Sequence, residues 1–187
     1  MASASEERLL TAEEFLAIEW GSSDIKAELD DGAIRMMAGG SEAHARVAGN
    51  TQFALRTRLR GSGCRTCNSD FAIRTHGGSI RYPDASVFCG RDFDAEQQAR
   101  AFDDPTVIVE VLSPSTQRHD RGVKLDEYRA LPSAQTIVLI DPLRQRLRVL
   151  QRKSSAGWTD DEYAEPVDLD VPSLGLTIPH AEIFAVD

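Results

Sequence analysis

Apolar positions recur along this chain at two periods, and the places where one gives way to the other mark out its elements. Thr11 precedes Glu13 and Glu14, with Phe15, Leu16 and Ile18 at helical spacing, which predicts a short capped helix from about 11 to 19. Lys26 to Leu29 and Ala33 to Met37 flank Asp31-Gly32, a two-residue turn signal, and predict a hairpin. After Gly39-Gly40, the chain places Val47, Thr51, Ala54, Leu55 and Leu59 on one helical face and stops at Gly61. "SDFAIRT" and "SIRYPDASVFC", separated by Gly77-Gly78, predict a second antiparallel pair. "TVIVEVL" is apolar on both faces, the pattern of a central strand covered from both sides. Pro114 ends that strand, Ser115 or Thr116 offers an N-cap, and a helix of about four turns fits before Pro132. "TIVLID", the alternating "RLRVLQR" and "GWTDDEYAEP" then predict a buried strand, a further strand and a hairpin arm.

This order of helices and strands is that of a mixed α/β domain, and 187 residues suit a single one, 1–187, with 1–10 expected to be flexible. The strand, helix, strand unit over 106–140 is expected to be parallel and right-handed. Catalytic groups should gather where its first strand ends.

Composition adds little until charge is considered. The apolar fraction of 41% and charged fraction of 27% are those of an ordinary globular chain. No apolar run approaches the roughly 18 residues that cross a bilayer, so no membrane partner is expected and the default address is cytoplasmic. Three cysteines, Cys64, Cys67 and Cys89, form an odd set that suits a reducing compartment. "CRTC" has metal-ligand spacing, but with only Cys89 and His76 near it a zinc site is short of ligands, and Cys64 and Cys67 read as reduced thiols in a turn. The net charge of −9 works against phosphate binding, although "RTRLRG" and "RQRLRVLQRK" are locally basic.

Two strands carry a carboxylate where an apolar residue is expected. Glu110 shares a face with Ile108 and Leu112 inside "VIVEVL", and Asp84 follows Pro83, which marks an edge or an opening strand. A lone carboxylate is costly to desolvate, so each should be exposed at a strand end, paired or bound to a cation, and two of them suggest a shared site. Mg²⁺ is bound through one or two protein carboxylates, water and substrate phosphate. Lys124 lies in the following helix with Tyr128 one turn on. Spacing alone leaves Lys124 either in the site or in an exposed ion pair with Asp120. Tyr82 and Phe88 read as packing, and Asp141 as turn chemistry.

"YPDASVF", "PTVIVEVLSPSTQRHDRGVKLDEYRALPS" and "VLIDP" resemble the Uma family of endonucleases, as do "TAEEFLAIE", "AELDDGAIRMMAGGSEAH", "SDFAIR" with Asp70, and "LGLTIPHAEIF". The resemblance implies a restriction-endonuclease-like fold of the PD-(D/E)XK superfamily, a mixed β-sheet flanked by helices with additional antiparallel hairpins. It implies that Asp84 and Glu110 are the two acids and that Lys124 takes the lysine role, since Leu112 stands where the superfamily lysine is expected. Glu28 is then a further acid or water holder, and His44 a group meeting phosphate. The activity implied is Mg²⁺-dependent hydrolysis of DNA, with Mn²⁺ as a substitute, by a homodimer. Asp84, Glu110 and the backbone carbonyl of Val111 would hold the metal. Lys124 would act mainly in the transition state and contribute little to stability. A weakly catalytic binding or assembly module, and a hydrolase of small phosphoesters, are the alternatives.

Overall fold

The computed structural model describes residues 8–21, 25–113, 120–155 and 157–186. Helix α1 (Ala12–Leu16) begins at Thr11, whose side chain accepts from the Glu14 N–H while the Glu14 carboxylate accepts from the Thr11 N–H. This capping box holds a helix too short to persist on propensity alone. Of the stretch 1–10, residues 1–7 lie outside those described, and Leu10 is tied to the hairpin turn through its N–H to Gly32 O at 2.8 Å. Strands β1 (Ala27–Asp30) and β2 (Ala33–Met36) form the expected hairpin. Asp31 and Gly32 both adopt positive φ, 48° and 83°, as a type I′ turn requires. Helix α2 (Glu42–Arg58) buries Val47, Thr51, Ala54 and Leu55 on one face, as the periodicity demands.

The segment read as one strand from Ser79 to Cys89 divides instead between two sheets. Strand β3 (Cys64–Asn68) precedes it, β4 (Ala72–Arg74) pairs with β5 (Ile80–Arg81), and after Tyr82-Pro83-Asp84 the chain re-enters order as β6 (Ala85–Cys89). Proline cannot donate to a ladder, which is why the crossing falls there. β5 lies in a five-stranded sheet, β2-β1-β5-β4-β7, completed by β7 (Ala101–Phe102). β6 pairs with β3 and with β8 (Val107–Val111), in a six-stranded sheet that continues through β9 (Thr136–Asp141), β10 (Arg146–Arg152) and β11 (Trp158–Tyr163). β8 and β9 are parallel, with Glu110 beside Leu139.

β8 is central and wholly buried, and its two faces enter two different cores. Val107, Val109 and Val111 pack with Val47, Ala54 and Leu55 of α2. A small sheet of β12 (Leu169–Val171) and β13 (Leu176–Ile178), with helix α4 (His180–Ile183), covers that same face. Ile108 and Leu112 pack with Leu125 and Tyr128 of α3 (Leu125–Ala130). Glu110 therefore points at α3. A π-helical turn over Asp120–Lys124 leads into α3 in place of the first part of the expected four-turn helix; Ser115 and Thr116 fall outside the described residues.

The cysteine expectation is corrected. Cys64 and Cys89 are register partners on β3 and β6 and are joined as a disulfide, leaving Cys67 on the opposite face as the free thiol. Their sequence separation of 25 hid this, because it says nothing about strand register. The protein, denatured without reductant, should take up one alkyl group, at Cys67, and three after reduction; mass spectrometry reads the difference.

Candidate active site

The two sheets meet where the chain passes from β5 to β6, and the charged residues singled out in the sequence converge there. The β6–β8 ladder pairs Ala85 with Val109 and then stops. One step further, Asp84 lies opposite Glu110 at the mouth of the opening strands. Beyond that last pair, the Val111 N–H donates to the side chain, Asp84 Oδ2, at 2.7 Å. His44, in the first turn of α2, brings Nε2 to 3.3 Å from the same oxygen. Ser41 caps that helix by accepting from the His44 N–H. Gly40 is required by close approach: a Cβ there would lie 2.7 Å from His44 Nδ1.

Glu110, 4% exposed, accepts from the Tyr128 O–H at 2.6 Å and from Lys124 Nζ at 3.4 Å, both on Oε1. Lys124 is itself 4% exposed and also reaches Glu28 Oε1 at 2.9 Å. It is thus no exposed partner of Asp120, whose side chain lies outside those described. Glu28, from the centre of β1, accepts in addition from the Tyr82 N–H at 3.1 Å. All five of Asp84, Glu110, Lys124, Glu28 and His44 are therefore linked through contacts in one region, and Val111 borders it.

Arg81 was not anticipated. It is completely buried on β5, donates bidentately to Glu127 at 2.7 and 2.8 Å, donates to Asp30 at 2.6 Å, and stands 3.4 Å from Glu28. A signal was available: Glu28 and Glu110, both on buried strands, need more positive charge than Lys124 alone supplies. Burial would lower the Arg81 pKa, but hydrogen bonds to Glu127 and Asp30, with the nearby carboxylates, raise it above its ordinary value. Burial and the charges of Glu110 and Glu28 push the Tyr128 phenol well up, so it remains a donor. Among the described residues, five carboxylates (Glu28, Asp30, Asp84, Glu110, Glu127) gather around Arg81 and Lys124, and Asp30 also pairs with Arg35 at 2.7 Å.

Among the described residues no group of three or more His, Cys, Asp or Glu side chains could hold a metal ion by itself. Mg²⁺ does not need such a cage, since it keeps several waters and uses one or two carboxylates. Asp84 Oδ1 meets no donor among the described residues, and the Val111 carbonyl faces the same edge as its N–H, beyond the last β6 pair. Hard oxygens at an open strand edge suit the ion.

A family model described as "Putative restriction endonuclease", Uma2, matches residues 12–183. The chain belongs to the Uma2 family. Among its relatives, an uncharacterized Synechocystis protein is 31% identical over 179 residues, 95% of this chain and 90% of the relative. A second is 29% identical over 152 residues, 81% and 85% of the two chains. The crystal structure of "a putative nuclease belonging to DUF820" from Anabaena variabilis superposes with a TM-score of 0.75 over 94% of this chain and 98% of that one, at 22% identity. It shares the fold, a mixed α/β architecture of sheets flanked by helices with antiparallel hairpins.

The basic stretches need no nucleic-acid partner to account for them throughout. In "RQRLRVLQRK", Arg148 pairs with Asp160, and Arg152 donates to the carbonyls of Arg129, Leu131 and Ala134 at the end of α3 while lying over the Trp158 ring. Arg58 of "RTRLRG" pairs with Glu182. Phe88 is core and Asp141 Oδ1 accepts from two turn N–H groups, as read from the sequence.

Replacing Arg81 by Met leaves buried carboxylates without their counter-charge and should lower unfolding free energy by about 3–5 kcal/mol, measured by urea titration. For Tyr128 the folded pKa lies above the unfolded value of about 10, so its contribution is intact below pH 10 and is lost as pH rises beyond it. Tyr128→Phe should therefore cost about 1.5–3 kcal/mol at neutral pH and flatten the alkaline limb of the stability profile.

Proposed function

We propose that this chain is a Mg²⁺-dependent endonuclease that hydrolyses DNA phosphodiester bonds at the opening between β6 and β8. The observation that carries the reading is the bond from the Val111 N–H, next to Glu110, to Asp84, with Lys124 on Glu110 and His44 on Asp84. Asp84, Glu110 and the Val111 carbonyl would hold the metal, which when bound supplies polarisation of a phosphoryl oxygen and a more acidic water. Mn²⁺ would serve in its place.

The chain's own groups set the rest. Val111 N–H and His44 fix one oxygen of Asp84, so the carboxylate presents its other oxygen outward. Tyr128 and Lys124 fix Glu110 from the α3 side. Lys124, held between Glu28 and Glu110, can orient a water against the phosphate and offset negative charge that grows on it. Glu28 positions that ammonium, and Arg81 positions Glu28. His44 stands where a phosphate oxygen can accept from its ring.

Cleavage of both strands is served most simply by two such sites related by a two-fold axis, so a homodimer is part of the proposal. So is a cytoplasmic address, where the DNA is. No helix among the described residues is long and apolar enough to cross a membrane. The Cys64–Cys89 bond withdraws the cysteine argument for that address.

Supercoiled plasmid incubated with Mg²⁺ or Mn²⁺ should be nicked and linearised by the wild type, and Asp84→Ala or Glu110→Ala should lose at least about a hundredfold in rate. Equal rates in the variants would overturn the site. Cleavage that ignores added salt, together with turnover of small phosphoesters, would favour the alternative substrate class. Because Lys124 is buried between two carboxylates, the expectation that its loss spares stability is revised. Lys124→Met should abolish cleavage and also lower the melting temperature, whereas an exposed ion pair would move it little.

A further inference from the structure

On the other side of β1 from Lys124, a cleft of about 160 Å³ opens to solvent beside Tyr82. Trp20 and Tyr82 supply aromatic walls, Ile25 and Met37 apolar ones, and Lys26 and Asp70 stand at the rim. An engineered apolar cavity of about 150 Å³ takes a benzene ring, so this one has room for a single planar ring system. Trp20 is steadied edge-on by Phe15, with ring centroids 6.0 Å apart. The rim pair is built from a 2.8 Å bond between Lys26 Nζ and Asp70 Oδ1, with side chains 50% and 68% exposed. It offers a donor and an acceptor side by side, the combination that reads exocyclic amino and carbonyl groups on base edges.

We propose that this cleft receives a nucleobase of the DNA strand being cut, stacked against Trp20 and Tyr82 with its polar edge toward Lys26 and Asp70. The proposal rests on the nuclease reading for its ligand, and continuity with the candidate active site selects that ligand. Tyr82 N–H donates to Glu28 Oε1, the oxygen that also receives Lys124. Two residues of backbone, at most about 7 Å, separate Tyr82 from Asp84. Nucleotides advance about 3.4 Å per step along one strand of a duplex, so a base in the cleft lies within one to two nucleotides of a phosphate at Asp84. Proteins that hold an unstacked base combine aromatic stacking with hydrogen bonds to its edge, as this cleft would. Tyr82 then serves recognition as well as the packing read from the sequence, with Trp20 beside it.

The test uses the full chain carrying Trp158→Phe, so that Trp20 is its remaining tryptophan, in metal-free buffer. Deoxynucleoside 5′-monophosphates should quench Trp20 fluorescence saturably, whereas deoxyribose 5-phosphate, which lacks the base, should not. Stacking on an aromatic side chain is worth about 1–3 kcal/mol per base, about 5- to 150-fold in Kd. Tyr82→Ala should weaken binding by that factor and Tyr82→Phe should retain it. If Tyr82→Ala melts early, the exposed rim variant Asp70→Ala replaces it, with base-dependent quenching expected to weaken several-fold. Quenching that does not depend on the base, or that survives both Tyr82→Ala and Asp70→Ala, overturns the cleft. Plasmid cleavage on the same preparation judges the nuclease reading separately: cleavage without base-dependent quenching sinks the cleft alone, and base-dependent quenching without cleavage sinks the catalysis alone.

Discussion

The buried guanidinium of Arg81 is the interaction on which the rest depends. An uncompensated carboxylate inside a protein is among the costliest groups a fold can carry, and this one places several of them around a single strand junction. Arg81 reaches Glu28 and Asp30 on β1 and Glu127 on α3, so one side chain ties the hairpin sheet to the helix that delivers Lys124. Its planar fork suits this task, since it can satisfy one carboxylate bidentately and still reach others, which the point charge of lysine cannot. Replacing such a network with apolar side chains is often neutral or favourable for stability elsewhere. Its presence here fits a requirement for charge at that place.

Lys124 shows the same logic at closer quarters. Its ammonium is held by Glu28 and Glu110, so the two buried carboxylates have an opposite charge beside them. The π-helical turn over Asp120–Lys124 introduces it, and such turns re-aim side chains relative to an ordinary α-helix. Gly40 beside His44 is a place where a small residue permits the site's geometry, since a Cβ there would meet the His44 ring.

The sequence disclosed the parts of this arrangement that follow from local periodicity. Alternation along "VIVEVL" located Glu110 in a buried row, and the face of α2 from Val47 to Leu59 was legible from its 3.6-residue repeat. The two-residue turn at Asp31-Gly32 was equally plain. What stayed hidden depends on contacts between distant segments. "SIRYPDASVFC" read as one strand that opens at Pro83, although its halves belong to different sheets. Strand β3, "CRTCN", lacks apolar alternation and earns its place only by pairing with β6. Arg81 could be inferred only by asking what neutralises Glu28, a question whose answer lies 53 residues away.

The crossing at Tyr82-Pro83-Asp84 has a geometric consequence. Its three residues join two sheets that are each pinned by their own core, and proline removes much of the freedom left between them. With the Tyr82 ring at one end and the Asp84 carboxylate at the other, the segment is a ruler of fixed length. If a base is held at one end and a phosphodiester is broken at the other, the offset between the nucleotide read and the bond cut is set by this stretch of backbone. Inserting a residue between Tyr82 and Asp84 would shift the cut along the strand, and domains fused at either terminus would inherit the offset unchanged.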